Sequence, residues 1–372
     1  MIDPQFVAAQ FAHHAAVISV ASYGAGNVND TYLVTLDGIE PAINADCFVL
    51  QRINQHVFRQ PRLILLNMRT FTDFMRAQMS QEEQRDRRWE VPLVIRARSG
   101  QDYLEDEAGG FWRAISLVAR AKTYPKIRDV AHAREAGYAL GRFHRLISDL
   151  DPTRLHDTLP GFHITPQYLV HYDQVLAART APASGEGPDV LYGEDFVAAH
   201  RQLASVLEEA YRQGKLTLRA MHGDPKVDNI LIDERTGQAV SLIDLDTVKP
   251  GLVHYDIGDC LRSCCNPAGE ETTDLDSVVF DLDLCRVILE GYLSEAARFF
   301  TPHDYAYLYD AIRLITFELG LRFFTDHLAG NVYFKVWHPT HNLERALVQF
   351  RLVEQIEANE QAIRQIVSSL TP

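Results

Sequence analysis

The feature that most restricts this chain lies between residues 221 and 247. There Met221-His-Gly-Asp-Pro-Lys-Val-Asp-Asn-Ile230 is followed, a few residues later, by Leu242-Ile-Asp-Leu-Asp-Thr247. Asn229–Asp233 and Val240–Asp244 read as two short apolar strands, and Glu234-Arg-Thr-Gly-Gln238 reads as the turn of a hairpin between them. If these strands pair, the loop before the first and the end of the second fall on one edge. The side chains of Asp224, Asn229 and Asp244 can then converge on one point. Turn chemistry accounts for any one Asp, Asn, Gly or Pro in this stretch. It does not account for H-x-D-x4-N, an apolar hairpin and I-D-x-D together.

Phosphoryl transfer asks for this set of groups. One carboxylate orients the attacking hydroxyl and takes its proton, while a second carboxylate and an amide oxygen hold magnesium on the phosphates. Magnesium takes hard oxygen ligands and accepts only a few from protein. The expected assignments are Asp224 as base, with Asn229 and Asp244 as magnesium ligands. Asp246 lies two residues beyond Asp244, on the same side of a strand, and is expected to reach the metal region too. Lys226 is placed to neutralise charge developing on the transferred group. His222 is expected to brace the loop by hydrogen bonding.

A chain of 372 residues is long for one small domain and suggests two. The first 120 or so residues are strand-rich. Ala16–Val20, Thr31–Leu36 and Cys47–Ile53 read as strands joined by Gly- and Asn-containing turns, an antiparallel meander. A short helix over residues 5–14 precedes them. A helix runs from Pro61 to about Met79, and strands follow around Val91–Ala97 and Phe111–Ala119, separated by the polar turn Asp102–Gly110. From Val130 to Ile147 the pattern is strongly helical. Ala181–Pro188 reads as a surface loop, residues 195–213 as a helix, and the chain from about Leu275 onward as mostly helical. The expected boundary divides residues 1–122, a nucleotide-binding lobe, from residues 123–372, a helical lobe carrying the catalytic loop and substrate site.

Composition narrows the class further. A formal net charge of −14 argues against a nucleic-acid partner, which needs a basic footprint. No apolar run is long enough to span a membrane, and the first residues do not resemble a secretory signal. Five cysteines, an odd number, fit a reducing, cytoplasmic setting, and Cys260 and Cys264 read as small buried hydrophobes.

H-G-D-x4-N followed by I-D-x-D resembles the aminoglycoside phosphotransferase and choline kinase superfamily, which is related to protein kinases. Several fragments resemble one branch of it, the N-acetylhexosamine 1-kinases. They are Gly26-Asn-Val-Asn-Asp-Thr-Tyr32, Leu50-Gln-Arg-Ile-Asn54, Pro160-Gly-Phe-His163, Ile243-Asp-Leu-Asp-Thr-Val248, Tyr255-Asp-Ile-Gly-Asp-Cys-Leu-Arg262 and Asn342-Leu-Glu-Arg-Ala346. The resemblance implies an α+β, bilobal, protein-kinase-like fold that uses ATP and Mg2+. It implies a small-molecule acceptor, a sugar before an aminoglycoside, choline or amino alcohol. Gly24, Gly26 and Asn27 would then form the loop over the phosphates. The third strand usually supplies a lysine to the phosphates, and here the charged candidate is Arg52. The following helix usually supplies a glutamate, but residues 61–79 contain none, and Asn67 is the available substitute. These departures leave a nucleotide-binding pseudokinase as the reading from another class. Asp256 and Asp259 are expected to brace the loop, with substrate contact as the alternative. His163 and Arg262 are further substrate candidates.

Overall fold

A computed structural model describes residues 2–13, 15–24, 28–37, 46–82, 87–179 and 187–372. The chain divides into two compact units. One comprises Met1–Lys122, Asp149–Pro160 and Leu231–Pro250, and the other comprises Thr123–Ser148, Gly161–Ile230 and Gly251–Pro372.

In the first unit, helix α1 (Pro4–Phe11) leads into β1 (Ala16–Ser22), β2 (Asp30–Asp37) and β3 (Cys47–Ile53), which pair antiparallel in sequence. After α2 (Pro61–Gln81) come β4 (Val94–Ile95), β5 (Leu104–Glu105) and β6 (Phe111–Ser116). The sheet order is β1-β2-β3-β6-β4, with β5 also on β6. Side chains alternate across a strand, so Phe48, Leu50 and Arg52 share one face of β3 while Val49, Gln51 and Ile53 share the other. Phe48 and Leu50 pack with Val34, Trp112 and Ala114 under Val7, Ala8 and Phe11 of α1. Helix α2 starts at Pro61, where a missing N–H costs nothing. The strand expected over residues 91–97 is confined to β4, since Pro92 has no N–H to give a ladder. Part of the expected polar turn, Leu104–Glu105, is instead strand.

The hairpin read from the sequence is present, as Ile230–Asp233 and Ala239–Leu242. Its first strand pairs with β7 (Ala121–Lys122), Ala121 opposite Asp233 and Lys122 opposite Ile232. Arg88 adds a further tie, with Nη1 2.8 Å from Asp233. These contacts place residues 231–250 with the sheet, although in the chain they follow a loop that belongs to the other unit.

The second unit is helical. Helix α3 (Val130–Ile147) opens on Asp129, whose carboxylate accepts the His132 N–H at 2.8 Å. It is followed by α4 (Thr165–Ala178), α5 (Pro188–His200), α6 (Val206–Arg212), α7 (Val253–Cys264), α8 (Leu282–Ala296), α9 (Pro302–Ala306), α10 (Leu308–Leu328), α11 (His341–Ala358) and α12 (Glu360–Leu370). The single helix expected over 195–213 is two, separated by a 3-10 segment over Arg201–Ser205. The loop expected at 181–188 falls, up to residue 186, outside the described residues. Phe196, Phe317, Phe324 and Phe350 centre one core cluster. Cys260, Cys264, Cys265 and Cys285 are buried and carry free thiols. No helix among the described residues is long and apolar enough to cross a membrane. The fold is α+β, an antiparallel sheet with a largely helical second unit.

Candidate active site

The loop from His222 to Asn229 belongs to the helical unit and hangs from one buried carboxylate. Asp256, on α7, accepts the backbone N–H of His222 at 2.6 Å and of Gly223 at 2.7 Å. Its Oδ2 also meets Nε2 of His144, from α3, at 2.7 Å. Burial alone would raise the Asp256 pKa, but His144 and His222, the latter through its ring and its backbone N–H, hold it below the usual carboxylate value. His222 takes the Asp224 N–H on Nδ1 at 3.2 Å, so its ring shapes the turn from within.

Asp224 itself keeps 30% of its side chain exposed, and Lys226 Nζ lies 3.2 Å from its Oδ2. The Asn229 amide donates to the Asp224 carbonyl at 2.7 Å and to its carboxylate at 3.1 Å. Burial pushes the Asp224 carboxyl up, and Lys226, His222 and Arg262 outweigh it, leaving the pKa lowered. With the NH2 end of Asn229 committed to Asp224, Oδ1 is the end left to face a cation. An amide oxygen is a hard donor of the kind magnesium takes.

Three substrate candidates are placed differently from expectation. Both ring nitrogens of His163 are engaged, Nε2 with the Gly223 carbonyl at 2.8 Å and Nδ1 with Glu318 at 2.9 Å. Arg262 donates to Asp259 at 2.9 Å and to Glu270 at 3.2 Å, and the Arg262 and Asp259 side chains are buried together. A pair so desolvated serves the loop's surroundings better than it serves an acceptor. The exposed indole is Trp337, 88% accessible, whereas Trp89 and Trp112 are buried.

In the sheet unit, Asp244 has φ 63° and ψ 55°, the left-handed region. A residue with a side chain is uncommon there, and such conformations gather at functional sites. Asp246 is placed differently from the expectation that it reaches the metal region. Its Oδ2 accepts the Asn29 amide at 2.7 Å, its Oδ1 meets the Arg113 guanidinium, and both charged side chains are 2% exposed. Its carbonyl accepts the Thr158 hydroxyl at 2.9 Å. Asp246 is thus a buried anchor rather than an offered carboxylate.

Arg52 is likewise misplaced for a phosphate. It stands on the α1 side of the sheet, 6.0 Å from the Trp112 ring and 4.0 Å from Asp30. The opposite face presents Gln51, whose Oε1 takes Arg113 Nε at 2.9 Å and Nη2 at 2.7 Å. Asn67 does not fill the glutamate's place either. It donates to the carbonyls of His156 and Val248 at 2.8 and 2.9 Å and accepts the His156 N–H at 2.8 Å. Gly24 has φ 76°, which suits a turn glycine, while Gly26 and Asn27 lie outside the described residues.

Two residues escaped the sequence reading. Arg113 interrupts an otherwise apolar, buried strand, and a charge at such a position calls for a buried counter-charge; that was its signal. Arg322, on α10, lies over the rings of Phe162, Tyr168 and Phe334 at 5.2, 5.1 and 5.4 Å. It feels the Asp224 carboxylate, and its N–H groups find no hydrogen-bond acceptor among the described residues. Only the fold brings it to the loop.

The family that the sequence matches makes the chain a phosphotransferase acting on hydroxyl acceptors. The chain belongs to the phosphotransferase enzyme family, whose model matches residues 19–275. Solved structures of similar fold include an aminoglycoside phosphotransferase from Alicyclobacillus acidocaldarius subsp. acidocaldarius DSM 446, with 16% identity over 99% of this chain and 97% of that one and a TM-score of 0.64. A microcompartment-associated aminopropanol kinase has 17% identity over 97% and 98% of the two chains and a TM-score of 0.59. A spectinomycin phosphotransferase, solved with ADP and spectinomycin, has 12% identity over 92% and 93% and a TM-score of 0.54.

Proposed function

We propose that this enzyme transfers the γ-phosphate of ATP to a hydroxyl of a sugar, an N-acetylhexosamine with its anomeric hydroxyl as acceptor. The observation that carries the reading is the Asp224 carboxylate. It stands on a loop pinned by Asp256, with Lys226 and the Asn229 amide on it. Its lowered pKa keeps it ionised at neutral pH, so its first task is to accept a hydrogen bond from the acceptor hydroxyl and orient it. A carboxylate this acidic is a weak base, which suits a loose transition state in which the hydroxyl proton leaves late. Lys226 is within reach to offset charge on the transferred group.

Asn229 and Asp244 are the proposed magnesium-holding groups. When bound, the ion neutralises charge on the nucleotide phosphates. Asp246 and Arg113 are assigned to holding the segment around Asp244 in shape.

The sugar assignment draws on the quoted fragments and on Arg322. A guanidinium whose donors meet no acceptor among the described residues, in the field of the Asp224 carboxylate, suits an oxygen-rich neutral acceptor and repels an ammonium group. A second reading, an amino-alcohol or aminoglycoside acceptor, is favoured by the acidic Asp228, which lies in the loop beside Asp224. ADP release across a panel of N-acetylglucosamine, N-acetylgalactosamine, galactose, kanamycin, choline and homoserine separates the two. Turnover is expected with an N-acetylhexosamine and to fall on the order of a hundredfold in Arg322→Ala, the cost of mispositioning a reactant. Turnover with an amine alone, undiminished or improved in Arg322→Ala, selects the second reading.

A further inference from the structure

We propose that His163 is a positioning residue, a buried imidazolium that joins the Gly223 carbonyl to Glu318 and thereby fixes the loop bearing Asp224. The proposal deepens the function argued above and rests on its reading of Asp224.

The argument starts from hydrogen-bond roles. A backbone carbonyl can only accept, so the nitrogen 2.8 Å from Gly223 O, His163 Nε2, must carry a hydrogen. The other nitrogen lies 2.9 Å from Oε1 of Glu318, whose Oε2 already accepts the Thr165 hydroxyl at 2.6 Å. Burial would raise the Glu318 pKa, but His163, Arg322 and Thr165 hold it low, so it is a carboxylate and accepts on both oxygens. Two acceptors on one imidazole require two N–H groups, which is the cation. The His163 backbone, at φ 62°, turns through the left-handed region to present the ring.

Every element packed on the ring bears on its charge. Glu318 and Arg322 come from α10, Asp259 and the Tyr255 ring from α7, and Thr165 and Tyr168 from α4. The Tyr255 ring stacks on His163 with centroids 5.5 Å apart, and its hydroxyl is held by Glu208. Asp224 follows Gly223 in the loop. Burial opposes the cation, while Glu318, the Gly223 carbonyl and Asp259 outweigh burial, so His163 titrates above the ordinary histidine value. The sign follows. Since the folded pKa is raised, the bridge is fully present below the unfolded value of about 6.5. It is lost as pH rises through the raised value. A neutral ring keeps one N–H, which stays with the carboxylate, and the lone pair on Nε2 then faces the Gly223 oxygen. The loop is released and Asp224 loses its position.

The test uses the full chain labelled with 13C at histidine Cε1 and at the glycine carbonyls, titrated from about pH 5.5 to 9 by NMR. One histidine resonance, missing in His163→Gln, is expected to keep imidazolium shifts where ordinary histidines are neutral, above about pH 6.5. Its midpoint should be shared by the Gly223 carbonyl, which needs no variant, and should move to lower pH in Glu318→Gln. In turnover, kcat should fall on the order of tenfold along an alkaline limb with that midpoint, with KM for ATP little changed, and His163→Gln should lose the limb. A neutral His163 at pH 7, or a Gly223 carbonyl indifferent to its titration, overturns the proposal. Failure of Asp224→Asn to abolish turnover, or no turnover with any acceptor, strikes the kinase reading instead and leaves the NMR result to decide on His163.

Discussion

At the scale of single residues, the pair Arg113–Asp246 governs the segment around Asp244. Both charges are shut away from water, so removing one strands the other. Arg113→Met should lower unfolding free energy by about 3–5 kcal/mol in urea titration, and Arg113→Met with Asp246→Leu should recover much of that loss. An exposed, replaceable pair would instead give about 0–1 kcal/mol in the single variant. This residue also shows where sequence reasoning stops. I-D-x-D was legible as a pair of carboxylates, and their spacing said nothing about which faces a ligand. The difference lies in Arg113 and Asn29, both distant in the chain from Asp246. Arg52 misled for a related reason. It was the nearest charge on the third strand, but alternation puts it on the side of Leu50 and Trp112, one residue out of step with Gln51.

At the scale of elements, the helix most firmly read from sequence, α3, contains two residues that weaken helices, Gly137 and Gly141. Their reason is tertiary. A Cβ on Gly137 would stand 1.9 Å from the Ile288 carbonyl oxygen, and one on Gly141 would stand 2.3 Å from that of Tyr292, so α3 and α8 meet backbone to backbone. The same contact orients His144, whose ring reaches Asp256 on one side and the Tyr292 hydroxyl, at 3.0 Å, on the other. Gly141→Ala, which raises intrinsic helix propensity, is therefore expected to destabilise by about 1–3 kcal/mol. Thermal unfolding of the variant checks it. A gain in Tm would mean that the helices do not approach this closely. The short strands β4, β5 and β7 were harder to read, because two residues leave no period to detect.

For the whole molecule, the meander, the long first-unit helix, the hairpin and the helical second unit were all legible, because each rests on local periodicity or turn chemistry. The membership of residues 231–250 in the sheet unit was not, since it depends on β7 and Arg88. The loop from His222 to Asn229 was legible as chemistry because its residue types and spacing are matched to phosphoryl transfer. Of its supports, Asp256 was expected to brace the loop, whereas the bracing by His163 and Glu318 emerges only once the helices are packed.

The central claim is that Asp224 orients and deprotonates an acceptor hydroxyl. The most direct measurement is acceptor-dependent ADP release, with magnesium, ATP and an N-acetylhexosamine, for the native enzyme beside Asp224→Ala. The account predicts steady turnover in the native enzyme and loss on the order of 10²–10⁴-fold in kcat in the variant, with ATP binding retained. Equal rates in the two proteins, or tight magnesium–ATP binding without turnover on any acceptor, would contradict it.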